Sequence, residues 1–291
     1  MSSPGPTFSH AEAFSRTVGW VTRDELARLR AKRVAIAGLG GVGGSHLLTL
    51  VRLGIGAFTI ADFDRFELAN FNRQAGASMR TLGRPKADVL AELARDIDPE
   101  IDLRVFAHGI APHEVDTFLD GADLYVDGLD FFAFAAREAV FAACARRRIP
   151  AITVAPLGMG AALLNFMPGG MSFEDYFGWA GCDDHERAVR FLVGLSPAML
   201  QLRYLVDRTA VDLASGRGPS TPMACELCAG IAGTEALKIL LDRGKVVAAP
   251  RGVHYDAYRH RLAHTWRPGG NRHPVQRLMI AMARRRLARS Q

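Results

Sequence analysis

Short runs rich in β-branched and apolar residues alternate along this chain with longer stretches of helical spacing. Arg33-Val-Ala-Ile-Ala37 reads as a strand, and His46-Leu-Leu-Thr-Leu-Val-Arg-Leu53 soon after it as a helix. Ala57-Phe-Thr-Ile-Ala61 and Asp123-Leu-Tyr-Val-Asp127 read as further strands. The span Ala133 to Arg147 has helical spacing, and Ala151-Ile-Thr-Val-Ala-Pro156 returns to strand character. This alternation predicts an α/β fold with a mostly parallel sheet and flanking helices. His254 to Tyr258 and Arg261 to Trp266 read as a late hairpin, which extends the sheet with antiparallel strands.

The middle of the chain is less regular. Gly158 to Met167 follows the strand at 151–156. Met171-Ser-Phe-Glu-Asp-Tyr-Phe-Gly-Trp179 is aromatic and acidic, suited either to line a pocket or to cover the sheet. A helix is expected from Pro197 to about Ala214, then a loop over Gly216 to Pro222 that closes over the site, then a helix over Cys225 to Leu241. Residues 168–222 form a crossover segment, expected to be mobile. The first thirteen residues are expected to be a loose tail, since they lack the charged and apolar regions of a secretory signal.

Between the first strand and helix lies Gly38-Leu-Gly-Gly-Val-Gly43. Glycine lets a backbone turn sharply and approach a phosphate, while a helix N-terminus offers free N–H groups and positive partial charge. Asp62 ends the second strand, 24 residues after Gly38, where an acidic side chain commonly holds ribose hydroxyls. Strand, turn, helix and acid make the fold Rossmann-like. By themselves they suit NAD, FAD and ATP equally.

The polar residues that follow separate these cases. Asp64, then Asn70-Phe-Asn-Arg-Gln74, lies just past the second strand, where hydride transfer has no use for such a set. Gly83-Arg-Pro-Lys86 opens a helix, with Pro85 where a missing N–H costs little. Lys86 gains nothing from the helix dipole there, so an anionic ligand would account for it. Gly128-Leu-Asp130 leaves a strand at the edge where doubly wound sheets bind ligands. Taken singly, Arg73 and Lys86 could be solvated charges and Asp130 a helix cap.

In this order and spacing the set resembles the ThiF/MoeB/HesA family, bacterial relatives of ubiquitin-activating enzymes. The match is dense over residues 14 to 165, thins between 170 and 220, and returns at Cys225 to Leu241. The resemblance implies ATP-dependent adenylation of a carboxylate, giving an acyl-adenylate and pyrophosphate. Gly38, Gly40, Gly41, Gly43, Asp62, Asp64, Asn70 and Gln74 would then bind the nucleotide. Arg73 and Lys86 would meet the β- and γ-phosphates, and Asp130 would hold Mg²⁺. The family's aromatic-x-Arg-Gln stretch reads Phe14-Ser-Arg16-Thr17 here, without the Gln. Arg16 would cross to the partner's site, which implies a homodimer. The acceptor is expected to be the C-terminus of a ubiquitin-like sulfur carrier or a peptide. Threonylcarbamoyladenosine dehydration on tRNA and small-acid activation are the alternatives. An NAD-dependent oxidoreductase and a silent binding partner remain as distant readings.

The chain departs from the family in its cysteines. Only Cys144, Cys182, Cys225 and Cys228 are present, with one Cys-x-x-Cys pair where many relatives carry two for structural zinc. Zinc is therefore not expected. Cys144, Cys225 and Cys228 read as packing residues. Cys182, in Gly178-Trp-Ala-Gly-Cys-Asp-Asp-His185, is the candidate covalent nucleophile that some relatives carry in this segment. His185 favours its thiolate, whereas Asp183 and Asp184 oppose it.

Composition bounds the rest. The chain has 291 residues, 49% hydrophobic, enough for one large core. No apolar run is long enough for a membrane span, and unpaired cysteines suit a reducing cytoplasm. The formal charge is +6, yet residues 267–291 alone hold seven Arg and no acid. That basic segment is expected to be a helix with Val275, Leu278, Met279 and Met282 on its docking face. Without an RNA-binding signature, nucleic acid is not an expected partner. Residues 14–266 are assigned to the adenylation domain.

Overall fold

The computed structural model of the chain describes residues 7–207, 209–210 and 218–287. Among them, β1 (Arg33–Ala37), β2 (Ala57–Ala61), β3 (Asp102–Phe106), β4 (Leu124–Asp127), β5 (Ala151–Leu157), β6 (Gly160–Phe166), β7 (Arg251–Asp256) and β8 (Arg261–Trp266) form one sheet. Its order is β3-β2-β1-β4-β5-β6-β7-β8. The strands from β3 to β5 are mutually parallel, while β5 through β8 pair antiparallel. The mostly parallel core and the late antiparallel strands are those the sequence pattern predicts.

The helices are α1 (His10–Ala13), α2 (Arg23–Arg30), α3 (Gly43–Arg52), α4 (Lys86–Ile97), α5 (Val115–Phe118), α6 (Phe134–Arg147), α7 (Phe173–Phe177), α8 (Asp184–Leu195), α9 (Pro222–Leu241) and α10 (Pro274–Leu287). They cover both sheet faces, so β1 is buried along its whole length. Its side chains divide by the strand period of two. Val34 and Ile36 join a core with Leu47 and Leu50 of α3, Leu90 of α4 and Ala232 of α9. Ala35 and Ala37 join the opposite core with Phe118, Val140 and Phe141.

Several expectations change. The tail expected through residue 13 is ordered from α1 onward: His10 is buried, and its Nε2 lies 3.1 Å from Gly54 O. In place of a helix from Pro197 there is a 3₁₀ turn, Leu200–Arg203; residues 208 and 211–217, including the start of the expected loop, lie outside the described residues. The segment instead carries α8, capped by Asp183, whose carboxylate accepts from Glu186 N at 2.8 Å. The aromatic stretch at 171–179 does not line an open pocket. Phe173, Tyr176, Phe177 and Trp179 are at most 4% exposed and build the core beneath the sheet.

The helix expected near the C-terminus is α10, packed on α8, but rotated from the expected docking face. Ile280 packs with Val189 and Val193, and the buried Gln276 donates to Val193 O at 3.2 Å. Met279 is partly buried, whereas Val275, Leu278 and Met282 are exposed. Arg284 pairs with Glu186 of α8. Residues 288–291 of the basic segment lie outside the described residues.

Candidate functional site

β1 ends beside β4, and both lead into loops at the carboxyl edge of the sheet. The chain turns at Gly38 with φ +81°. A Cβ at Gly38 would collide with Gly128 O and stand 2.7 Å from Leu129 Cα. A Cβ at Gly43 or at Gly128 would collide with Gly38 O. These three glycines therefore let the turn after β1 lie directly on the loop after β4.

Gly40 and Gly41 serve differently. The nearest atom to a Cβ on Gly40 is Gln74 Nε2 at 3.8 Å. At Gly41 the nearest are Cys225 Sγ at 3.5 Å and Arg73 Nε at 3.6 Å. The fold leaves room at both positions. The open backbone leads into the N-terminus of α3, whose first N–H groups lack helical partners. Arg73 is held across it by Nη1 bonds to Ala69 O and Asn72 Oδ1, both 2.9 Å. Gln74 is 9% exposed, and its enclosed Oε1 has no hydrogen-bond partner among the described residues. Asn70, also nearly buried, spends its Oδ1 on Glu67 N at 3.0 Å.

Asp62 ties the turn to the next loop. Its carboxylate accepts from Leu39 N at 2.6 Å and Asp64 N at 2.8 Å. Burial pushes its pKa up, against the pull of those two N–H groups and of Lys86. Lys86 is 5% exposed and pairs through Nζ with Asp64 Oδ2 at 2.9 Å. Asp64 is half exposed, so the ion pair stands with its carboxylate toward solvent.

Asp130 lies exposed on the β4 loop. Its Oδ1 accepts from Phe132 N at 3.0 Å. It does not cap a helix, because α6 starts only at Phe134. The loop is shaped by Arg137, whose role is not apparent from the sequence pattern. Arg137 is 2% exposed and donates to Asp127 Oδ2 at 2.9 Å. It also donates to the carbonyls of Leu129 (2.6 Å), Asp130 (3.0 Å) and Phe131 (3.2 Å). Asp127 accepts further from Thr153 Oγ1 at 3.0 Å. An arginine within the apolar spacing of α6, shortly after the strand-ending Asp127, was the available signal.

The structure thus gathers the glycine turn, Asp62, Asp64, Asn70, Arg73, Gln74 and Lys86, with Asp130 on the loop packed against that turn. Two candidates stand apart. Arg16 is exposed on the 3₁₀ turn Ser15–Thr17 and makes no ion pair among the described residues. Cys182 is half-buried, and among the described residues its Sγ hydrogen-bonds only to Gly178 O (3.7 Å) and Ala180 O (4.0 Å) of its own loop. The other thiols are buried, Cys144 on α6 and Cys225 and Cys228 on α9, and burial raises the pKa of each. Among the described residues no three His, Cys, Asp or Glu side chains converge as a metal cage. Asp130 alone fits Mg²⁺, which takes one or two carboxylates and completes its shell with phosphate oxygens and water. No helix among the described residues is long and apolar enough to cross a membrane.

The model of the ThiF family matches residues 14–277. The tRNA threonylcarbamoyladenosine dehydratase of Haemophilus influenzae is 34% identical over 138 residues, 47% of this chain and 52% of that protein. The chain thus spans about half the length of that curated relative. The sulfur carrier protein ThiS adenylyltransferase of Escherichia coli is 27% identical over 196 residues, 67% of this chain and 77% of that protein. The crystal structure of the E. coli dehydratase TcdA in complex with ATP superposes with a TM-score of 0.58 at 22% identity, covering 80% of this chain and 95% of that one.

Proposed function

The chain belongs to the ThiF family, and from that premise we propose that it is an ATP-dependent adenylyltransferase acting on a carboxylate. The observation that carries this reading is the pairing of an open glycine turn, beside which Arg73 stands, with a buried lysine on the loop that Asp62 ties to that turn. Arg73 stands 3.6 Å from the Cβ position of Gly41, while Lys86 is buried beside Asp64 and Asp62. A nicotinamide cofactor needs neither cation. A similar adenylyltransferase acts on ThiS, and a similar fold binds ATP in TcdA.

Asp62 would accept from the ribose hydroxyls with the lone pairs that Leu39 and Asp64 leave open. The turn and the start of α3 would hold the phosphates by backbone N–H groups. Gln74 borders the same space, its Nε2 being 3.8 Å from the Cβ position of Gly40. The acceptor carboxylate would attack the α-phosphorus, and pyrophosphate would leave toward Arg73 and Lys86. Arg73 offers a guanidinium fork and Lys86 a point charge to the developing negative charge. Mg²⁺ at Asp130 would add Lewis-acid stabilisation of the phosphate oxygens. Arg16 would reach a partner's site in a homodimer, which suits its exposed place outside its own. The acyl-adenylate would pass to a thiol, sulfur or other nucleophile. A ubiquitin-like carrier or a peptide is the proposed acceptor, and Cys182 is a candidate for covalent capture.

Calorimetry with Mg-ATP and with NAD(H), on the wild type and Asp130→Ala, tests the reading. Mg-ATP binding that weakens at least tenfold in the variant is expected. Binding of NAD(H) without Mg-ATP would overturn it.

A further inference from the structure

We propose that the chain carries a second oxyanion site, separate from the nucleotide turn, built to hold a phosphate group. A cleft of about 280 Å³ lies mainly against one face of β8, with His264 of the other face at its margin. By the strand period of two, Arg261, Ala263, Thr265 and Arg267 share that face. The small Ala263 and Thr265 make a low floor beside Arg261, while Arg267 at the far end is engaged through Nε with Gln276 Oε1 at 3.3 Å and through Nη1 with Trp266 O at 3.0 Å. Arg259 enters from the β7–β8 turn, and Arg203 comes from the 3₁₀ turn Leu200–Arg203. Among the described residues no Asp or Glu lines the cavity.

The walls are fixed in place. Tyr204 packs against Tyr258 with ring centroids 4.6 Å apart and the rings tilted by 34°. Its hydroxyl donates to the buried Asp256 at 2.8 Å, so the crossover is pinned to the end of β7. Asp256 also accepts from Arg259 N at 3.0 Å, which sets the backbone of that arginine. Among the described residues Arg203, Arg259, Arg261 and Arg267 form no ion pair with a carboxylate. Nη1 of Arg259 is enclosed yet has no hydrogen-bond partner among the described residues. An enclosed, unmatched guanidinium nitrogen is costly, and so is gathering like charges around one space. A phosphate offsets both, since its oxygens accept from the guanidinium fork.

β7 runs in the direction of β4 and β5, which places Arg259 at the sheet edge that also carries Asp130. The site does not rest on the adenylation reading. The cavity has room for a phosphate and its first contacts, and is too small to enclose a protein surface.

Calorimetric titration of inorganic phosphate at constant ionic strength tests the proposal on the wild type, Arg259→Gln, Arg261→Gln and Lys86→Met. Phosphate binding that survives in Lys86→Met and weakens tenfold or more in Arg259→Gln is expected, with a smaller loss in Arg261→Gln. Arg261 is exposed, so its variant keeps the test valid should Arg259→Gln fail to fold. No binding to the wild type would overturn the site. So would binding that is indifferent to both arginines, or lost in Lys86→Met. Succinate binding as tightly as phosphate would overturn the assignment to phosphate. Mg-ATP binding that is weakened in Lys86→Met and kept in Arg259→Gln reports on the nucleotide turn, so its absence from the wild type counts against adenylation and leaves the phosphate result standing.

Discussion

Replacing Arg137 by Met would test how the loop that carries Asp130 is held. The side chain is 2% exposed and makes four hydrogen bonds, one to the Asp127 carboxylate and three to successive carbonyls. Its guanidinium also lies 4.6 Å from the ring centroid of Phe191. Met fills much of the volume, so the dominant loss is electrostatic: a carboxylate, equally buried, is left without its cation. Removing one partner of a buried ion pair costs about 3–5 kcal/mol. At roughly 2–4 °C per kcal/mol for a domain of this class, Tm should fall by about 6–20 °C. The freed carbonyls of Leu129 and Asp130 are near solvent, so water replaces much of what they lose. Urea unfolding and scanning calorimetry measure the change. Asp127→Asn in the same background removes the orphaned charge and should recover a large part of it. Mg-ATP affinity should fall at least tenfold, because nothing then draws the three carbonyls together. A stability loss below about 1 kcal/mol, or no recovery in the double variant, would refute the ion-pair argument. Intact Mg-ATP affinity in a folded Arg137→Met would refute the link to Asp130.

Other substitutions probe separate parts of the structure. Gly40→Ala meets nothing closer than 3.8 Å, so it should fold normally yet bind Mg-ATP at least tenfold more weakly, whereas Gly43→Ala collides with Gly38 O and should lose stability as well. Calorimetry and thermal unfolding separate the two, and normal ATP binding by Gly40→Ala would show that no phosphate lies there. His46 is fully buried, both ring nitrogens lack a partner among the described residues, and burial pushes its pKa from 6.5 to about 3. As pH falls below 6.5 the unfolded chain takes a proton that the folded chain refuses, so stability present at neutral pH is lost toward pH 3. His46→Leu lacks this loss, and its advantage over wild type should grow by about 1.4 kcal/mol per pH unit between about pH 6 and about pH 4; a difference constant with pH in urea titrations would contradict the burial argument. Mixing Arg16→Ala with Asp130→Ala should restore pyrophosphate release that neither variant shows alone, and failure of the mixture would place Arg16 outside a shared site.

Much of the candidate site was legible because it is local. Gly38 to Gly43 and Asp62 sit at the ends of β1 and β2, whose bounds follow directly from two short apolar runs. Lys86 behind Pro85 marks the start of α4 by the rules of a helix first turn. Arg137 escaped because its purpose is visible only when α6 is folded back over the β4 loop. The α8 helix escaped because polar residues around Cys182 suggested a loop, although Asp183 with Glu186 three residues on is a capping signature.

Residue order by itself determined the alternation of strands and helices, the phosphate-type turn and the sequence of polar residues around it. These depend on backbone propensity and on spacing within one element. The tertiary structure alone decided which surfaces those elements present. It set Gly128 against Gly38, turned Ile280 rather than Leu278 toward α8, and buried the aromatic stretch of α7. It also brought Arg203 from the crossover to Arg259 and Arg261 of the late hairpin. Each of these contacts joins segments distant in the chain, where close packing and the pairing of buried polar groups select one arrangement among many that the local pattern allows.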